Sequence, residues 1–129
     1  MRFKYEVKIY YEDTDFAGIV YHANYFKFIE RARTELLLSL GVSQKKINLK
    51  KGGYFVVKKI ISDFLSPSFF EDNLVVISEF QKIKFTSFEI NQDIFKGEEK
   101  IFKSKILLAY LENGKLSKIP EKIKSVIKK

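Results

Sequence analysis

One long helical pattern, with strand patterns on either side of it, most restricts the fold of this chain. Over residues 23–40 apolar side chains recur at helical spacing, and Gly41 stands where a C-terminal cap belongs. A helix of that length spans about 27 Å, which is long for a chain of 129 residues. A sheet in this protein therefore has one substantial helix to pack against.

Strand patterns precede and follow this helix. Phe3 to Tyr11 alternates apolar and polar residues, which predicts a half-buried first strand. Four more strands, separated by turn signals, are predicted over residues 54–65, 74–85, 87–95 and 100–111. Residues 42–53 predict a short helix with a glycine turn, and a short basic helix is predicted over about 120–128, with its core at Glu121 to Ile127. We expect a single α+β domain, residues 1–129, whose antiparallel sheet buries one face against the helix.

The residue inventory limits the chemistry. The chain has no cysteine and one histidine, His22. This excludes disulfides, iron–sulfur clusters, thiolate nucleophiles and every motif that needs two histidines. We therefore expect carboxylate chemistry with no metal site and no cofactor.

The charge and hydropathy patterns indicate which partners and which cellular compartment to expect. A net charge of +8 would suit a polyanion, but the 24 basic residues are spread along the chain, which is typical of a solvated surface. No apolar run of signal-peptide length opens the chain, and no 18 consecutive residues are apolar. We expect a soluble, cytoplasmic protein with no nucleic-acid partner and no stable membrane insertion.

The segment from Tyr11 to Tyr25, YEDTDFAGIVYHANY, concentrates the functional groups. It places carboxylates, a glycine, the sole histidine and a helix start within fifteen residues. Each group also has a structural interpretation: Asp13 and Asp15 as turn or capping residues, Gly18 as the supplier of a positive φ, and His22 as a hydrogen-bonded polar residue at a helix start. The motif as a whole is more specific than its parts.

The run from Asp13 to Tyr25 resembles the signature of the YbgC-like acyl-CoA thioesterases, relatives of 4-hydroxybenzoyl-CoA thioesterase. Further stretches resemble family landmarks in the same order, at Glu30–Arg33, Gly53–Val57, Asp63–Pro67 and Asp72–Leu74. The resemblance covers roughly residues 3–112. It implies the hot-dog fold, with a five-stranded antiparallel sheet wrapped around the long helix. It also implies hydrolysis of acyl-CoA thioesters, or of thioesters of acyl carrier protein, without a cofactor.

The resemblance assigns the catalytic carboxylate to Asp15, the second aspartate of the D-x-D pattern. In thioester hydrolysis a carboxylate can act as nucleophile or as the base that activates water, and both remain open. The backbone N–H at the His22 position would polarise the thioester carbonyl, because a helix start has unpaired donors and a positive dipole end. The His22 side chain is a second catalytic candidate of undecided role, and we expect Asp13 to hold the loop.

Three more residues of this segment are candidates for substrate binding. Gly18 would let the loop come close to the substrate. Tyr21 and Tyr25 flank the helix start and could line the acyl pocket, although two aromatic residues beside an amphipathic helix more often belong to the core.

A basic turn is the candidate for nucleotide binding. Lys82 and Lys84, with Ser87 after the turn, resemble in position the turn that holds the nucleotide of coenzyme A in the family. A solvated strand end is the alternative interpretation. The resemblance also implies a homo-oligomer, either a dimer or a homotetramer built from dimers, with each active site at a subunit boundary. Open sheet edges favour such an association.

Two other functions account for part of the sequence. A hot-dog hydratase or dehydratase would use His22 with Glu30 or Glu35 of the helix. A non-enzymatic, basic nucleic-acid-binding module would account for the net charge but not for the DTDFAGIVYHANY run.

Overall fold

The computed structural model describes residues 2–128 and confirms the predicted α+β architecture. Its elements in chain order are β1 (Arg2–Lys8), α1 (His22–Ser39), α2 (Gln44–Lys51), β2 (Gly53–Phe64), β3 (Asn73–Ile83), β4 (Ser87–Lys96), β5 (Glu99–Glu112), β6 (Lys115–Leu116) and α3 (Glu121–Lys128). A single 3-10 turn, Tyr11–Asp13, follows β1. Five long strands form one antiparallel sheet, as predicted. Their order is β1-β3-β4-β5-β2, and the two-residue β6 adds to β5.

The first strand ends earlier than the alternation predicts. Lys8 pairs with Asn73, the first residue of β3, so the ladder has no partner strand beyond it. Ile9 instead forms hydrogen bonds with the loop that precedes β3. Its N–H donates to the Asp72 carbonyl at 2.9 Å, and its carbonyl accepts from the Glu71 N–H at 2.9 Å. The alternation continues to Tyr11, but strand pairing depends on a neighbour that the local pattern does not contain.

The sheet buries its inner face against α1. The α1 side chains of this contact, each at most 1% exposed, are Phe28, Ile29, Ala32, Leu36 and Leu37. They pack with inner-face residues of β3, β4 and β5 in a single core. Each large apolar side chain buried in this way contributes about 1.5–3 kcal/mol.

A polar network crosses this core and fixes the position of α1. Arg33 is only 8% exposed, and its Nη1 donates to Gln92 Oε1 at 2.8 Å. Gln92 Nε2 in turn donates to Ser78 Oγ at 2.9 Å and to the Ile29 carbonyl at 2.8 Å. Burial lowers the pKa of Arg33, and the nearby Glu30 partly opposes that shift. Because a buried charge needs these partners, α1 has one favoured position on the sheet.

The two edges of the sheet differ in character. The β1 edge alternates charged and half-buried residues, which discourages pairing with another strand. The β2 edge is mostly exposed and presents apolar side chains at Val57, Ile60, Ile61 and Phe64.

Within residues 2–128 no helix combines the length and apolarity needed to cross a bilayer.

Candidate active site

Asp15 opens a tight turn that leaves half of its carboxylate free. The turn closes through the Gly18 N–H, which donates to the Asp15 carbonyl at 3.0 Å, and the Asp15 N–H donates to the Ile19 carbonyl at 2.9 Å. Asp15 Oδ1 accepts from the Ala17 N–H at 2.9 Å, whereas Oδ2 has no hydrogen-bond partner among residues 2–128. Gly18 has φ +84°, a conformation that favours glycine, and a Cβ there would meet no atom within 4 Å. The loop surface around Asp15 is therefore open.

Asp13 ties this loop to the start of α1. Its Oδ2 accepts from the Tyr10 N–H at 2.8 Å, which is the holding role expected from the sequence. Its carbonyl accepts from the Tyr21 N–H and from Asn24 Nδ2, both at 2.9 Å. The turn that carries Asp15 is thus held in a fixed place relative to the helix.

The start of α1 offers unpaired donors. No side chain caps the helix, and its first turn contains no acidic residue. The Asn24 N–H donates to the Tyr21 carbonyl at 2.9 Å, but the N–H groups of His22 and Ala23 have no acceptor among residues 2–128. The helix dipole adds the equivalent of about half a positive charge at this end. Such a pair of donors can stabilise a negatively charged oxygen.

Aromatic side chains surround the helix start. The exposed His22 ring lies edge-on to Tyr21, 4.7 Å between centroids, and to Phe64, 5.8 Å away. Phe64 is 48% exposed and also contacts the rings of Tyr25 and Phe102. The sequence marks Phe64 only as part of a strand and of a family landmark, because the residues it contacts lie far away along the chain.

Tyr25 forms part of the wall behind the site. It is only 4% exposed, and its ring stacks on Phe102 with centroids 5.3 Å apart. Its hydroxyl shares a hydrogen bond of 2.6 Å with the fully buried Ser68 Oγ, and burial raises the pKa of Tyr25. The Ser68 carbonyl also accepts from the Val20 N–H at 2.8 Å. Ser68, whose only sequence signal is that it follows a proline, thus connects helix and loop.

The predicted nucleotide turn lies at the far end of the sheet. The Lys84 N–H donates to the Ser87 carbonyl at 2.8 Å and closes the β3–β4 turn, where Lys82 and Lys84 are exposed. The Asp15 loop instead pairs, through Ile19, with Phe69 before the start of β3. Nine residue steps of β3, from its first residue to Lys82, span about 30 Å. One chain brings the loop and the helix start together, but it does not bring the basic turn to them.

Two surface depressions lie away from the Asp15 loop. One, of about 600 Å³, is lined by residues of β1, β3 and β4, including Arg2 and Phe95. The other, of about 450 Å³, lies between α2 and α3. Neither is lined by Asp15 or His22.

The remaining charged groups do not form a second centre near His22. Glu30 and Glu35 are exposed on α1, and Glu30 Oε2 accepts from Thr34 Oγ1 at 2.7 Å. No hydrogen bond between side chains of residues 2–128 joins His22 to either carboxylate, as a hydratase would need. The described residues contain no cluster of three or more metal-ligating side chains.

The comparison with known families favours the thioesterase interpretation over a hydratase or a nucleic-acid-binding module. A family model described as Thioesterase superfamily matches residues 17–103, more than half of the chain. The chain belongs to the thioesterase superfamily. The matched range begins two residues after Asp15, so the carboxylate itself lies just outside it.

Individual relatives of this superfamily member agree with that placement. It is 33% identical to the acyl-CoA thioesterase YbgC of Haemophilus influenzae over 125 residues, which are 95% of this chain and 92% of the relative. It is 38% identical over 96 residues to the acyl-CoA thioester hydrolase YbgC of Escherichia coli, covering 74% and 71% of the two chains. These matches confirm the resemblance to the YbgC-like acyl-CoA thioesterases.

Solved structures confirm the hot-dog fold. A probable thioesterase from Bartonella henselae superposes with a TM-score of 0.89 at 27% identity, covering 93% of this chain and 100% of that one. A hypothetical protein from Aquifex aeolicus superposes with a TM-score of 0.92 at 28% identity, covering 97% and 98%.

Proposed function

We propose that this protein hydrolyses acyl-CoA thioesters with Asp15 as the reacting carboxylate and the start of α1 as the oxyanion site. The observation that carries the proposal is the free Oδ2 of Asp15 together with the unpaired N–H groups of His22 and Ala23. The Thr14–Val20 bridge folds the loop back so that the carboxylate and the helix start belong to one structural unit. The carboxylate and the N–H donors can act on a thioester without a cofactor.

The chemistry follows from these groups. The thioester carbonyl oxygen accepts hydrogen bonds from the two N–H groups, which stabilise the negative charge that develops on it. Asp15 either attacks the carbonyl carbon, giving an anhydride that water then opens, or removes a proton from an attacking water. In both routes the carbon–sulfur bond breaks and the thiolate takes up a proton. The products are the carboxylic acid and free coenzyme A, with one water consumed.

The surrounding side chains take supporting roles in this proposal. Gly18 lets the substrate approach the turn, because nothing occupies the space above it. Tyr21 and the exposed edge of Phe64 contact the acyl group, and the buried Tyr25 supports them from behind. The His22 imidazole, exposed beside the helix start, contacts the carbonyl or orients the water.

We also propose that each active site lies at a boundary between two copies of the chain. The β2 edge leaves unpaired backbone groups and exposed apolar side chains, so antiparallel pairing of two β2 strands about a twofold axis would cover both. The pairing of β2, β5 and β4 within one chain shows which groups lie near each end of β2. Val56 pairs with Ala109 and Ala109 with Ser87, so the basic turn lies two strands from the start of β2. Phe64, at the other end of β2, contacts His22.

Antiparallel pairing therefore supplies the missing half of the site. Two antiparallel β2 strands run in opposite directions, so the end of β2 at Phe64 in one chain lies beside the start of β2, near Val56, in its partner. The partner's basic turn then approaches the helix start of the first chain. We assign the phosphates of coenzyme A to Lys82, Lys84 and Ser87 of that turn, which within one chain lies at the opposite end of β3 from the Asp15 loop.

Three finer assignments belong to the same proposal. Two dimers associate further into a homotetramer. Thioesters of acyl carrier protein are alternative substrates, because they present the same pantetheine thioester. The protein acts in the cytoplasm, a reducing compartment compatible with a chain that has no cysteine.

A panel of acyl-CoA thioesters tests the activity. Wild type, Asp15→Asn and Asp13→Asn are assayed for released thiol. We expect at least one acyl-CoA to be hydrolysed by wild type and Asp15→Asn to lose at least about 100-fold in kcat, as removal of a general base or nucleophile does. Asp13→Asn is the matched control, since it removes a neighbouring carboxylate that is engaged in holding the loop. Wild-type rates in Asp15→Asn would remove that residue from the mechanism.

A further inference from the structure

A groove between α2 and α3 lies at the end of the molecule opposite the Asp15 loop. Its volume is about 450 Å³, within the range of sites for small organic ligands. Leu40, just after the end of α1, contributes to it, whereas the Asp15 loop precedes the start of that helix. Each wall is a helix of eight residues, about 12 Å long. The groove shares no residue with the proposed active site.

The floor of the groove is apolar. Its apolar lining residues are Leu40, Val42, Ile47, Ile123 and Val126. Val42 and Ile123 belong to the buried core, and Val126 packs against it. The floor is thus a part of the core that the two short helices leave open to one side, where an alkyl chain would be removed from water.

The charged residues of the groove are all cationic and form its rim. Lys46, Lys50 and Lys51 come from α2 and Lys122 comes from α3, and all four are exposed. No carboxylate lines the groove. Glu121, the acidic residue of α3, points its charge to Lys118, with Nζ and Oε1 3.4 Å apart. The lysine charges around the floor therefore have no acidic counterpart within the groove.

We propose that this groove binds a single-chain anionic amphiphile of the fatty-carboxylate type. The alkyl chain lies on the apolar floor, and the carboxylate is held by the lysines of the rim, whose aliphatic stems extend over the chain. Charge complementarity selects the occupant: a cationic amphiphile would gain the same apolar burial but would meet four like charges. This site does not depend on Asp15 chemistry.

Titration with decanoate below its micelle-forming concentration tests the proposal. We expect saturable binding of one decanoate per chain by calorimetry, and binding of decyltrimethylammonium at least about tenfold weaker, since like-charge contacts replace attractive ones. In ¹⁵N-resolved spectra the shifted amides should fall in residues 40–51 and 121–126. Shifts confined to the Asp15 loop would overturn the proposal, since decanoate would then occupy the proposed active site.

Charge variants separate the groove from the general field of the protein. Lys46→Gln/Lys122→Gln should weaken decanoate binding about tenfold, because each exposed lysine contributes up to a factor of about five. Lys103→Gln/Lys105→Gln removes the same charge from exposed positions of β5 and should change binding by less than about twofold. Val126→Phe, which narrows the groove, should weaken decanoate binding without loss of charge.

Three results contradict the proposal. Equal losses in the two double-lysine variants would mean that only the net charge matters. Equal binding of both amphiphiles would reduce the groove to an apolar patch. Retention on vesicles rich in anionic lipid, with no binding of monomeric decanoate, would assign the surface to a membrane instead.

Discussion

If the active site is shared between two chains, then two defective chains can restore one intact site. The Asp15 loop lies beside the start of β3, and Lys82 lies about 30 Å further along that strand. The proposed arrangement therefore takes the carboxylate from one chain and the phosphate contacts from its partner.

The perturbation is a mixed dimer of Asp15→Asn with Lys82→Ala/Lys84→Ala, isolated with two different affinity tags. The aspartate variant alone should retain about 1% of wild-type kcat/KM or less. The lysine variant alone should retain about a tenth, because exposed charge contacts contribute modestly. In the mixed dimer one site is intact and the other lacks both groups. We expect about half of the wild-type kcat/KM.

The assay follows thiol release at acyl-CoA concentrations well below KM, where loss of phosphate contacts is visible. If each chain instead used its own lysines, the mixed dimer would retain only about one twentieth of wild-type activity, since half its sites lack the carboxylate and half lack the lysines. A result at that level would refute the shared site. Lys103→Ala/Lys105→Ala is the matched charge control and should act like wild type in every pairing.

Further variants test the loop, the wall behind the site and the sheet edge. Asp13→Asn should lose about 1 kcal/mol of stability through its weakened bond to the Tyr10 N–H, measured as a melting temperature lower by about 3–5 °C, while Asp15→Asn should melt like wild type. Tyr25→Phe should cost about 1–2 kcal/mol in urea unfolding by leaving the buried Ser68 hydroxyl unpaired; an unchanged midpoint would show that this hydrogen bond contributes nothing. Ile61→Asp puts a charge on the apolar β2 edge, where Ile61 is 54% exposed, and should raise the dimer dissociation constant at least about tenfold in sedimentation. An undisturbed dimer would move the interface away from β2.

The candidate site divides into a part that the sequence predicts and a part that it does not. The turn at Asp15, the holding role of Asp13 and the helix start at His22 all depend on hydrogen bonds between residues a few positions apart. Local turn chemistry and helical periodicity therefore suffice for them. The contacts of Phe64 with His22 and of Ser68 with Tyr25 are not predicted, because each joins residues about forty positions apart in the chain.

The sequence by itself determined the elements and their order, since periodicity and glycine turns act within one segment. It identified the long helix, the five long strands and the family motif to within a few residues. Only the tertiary structure decided where β1 stops, because its last pair is with Asn73, and where α1 sits, because Arg33 meets Gln92 across the core. It also decided that the basic turn is remote from Asp15 in one chain. These properties depend on register and packing between distant segments, which no local pattern encodes.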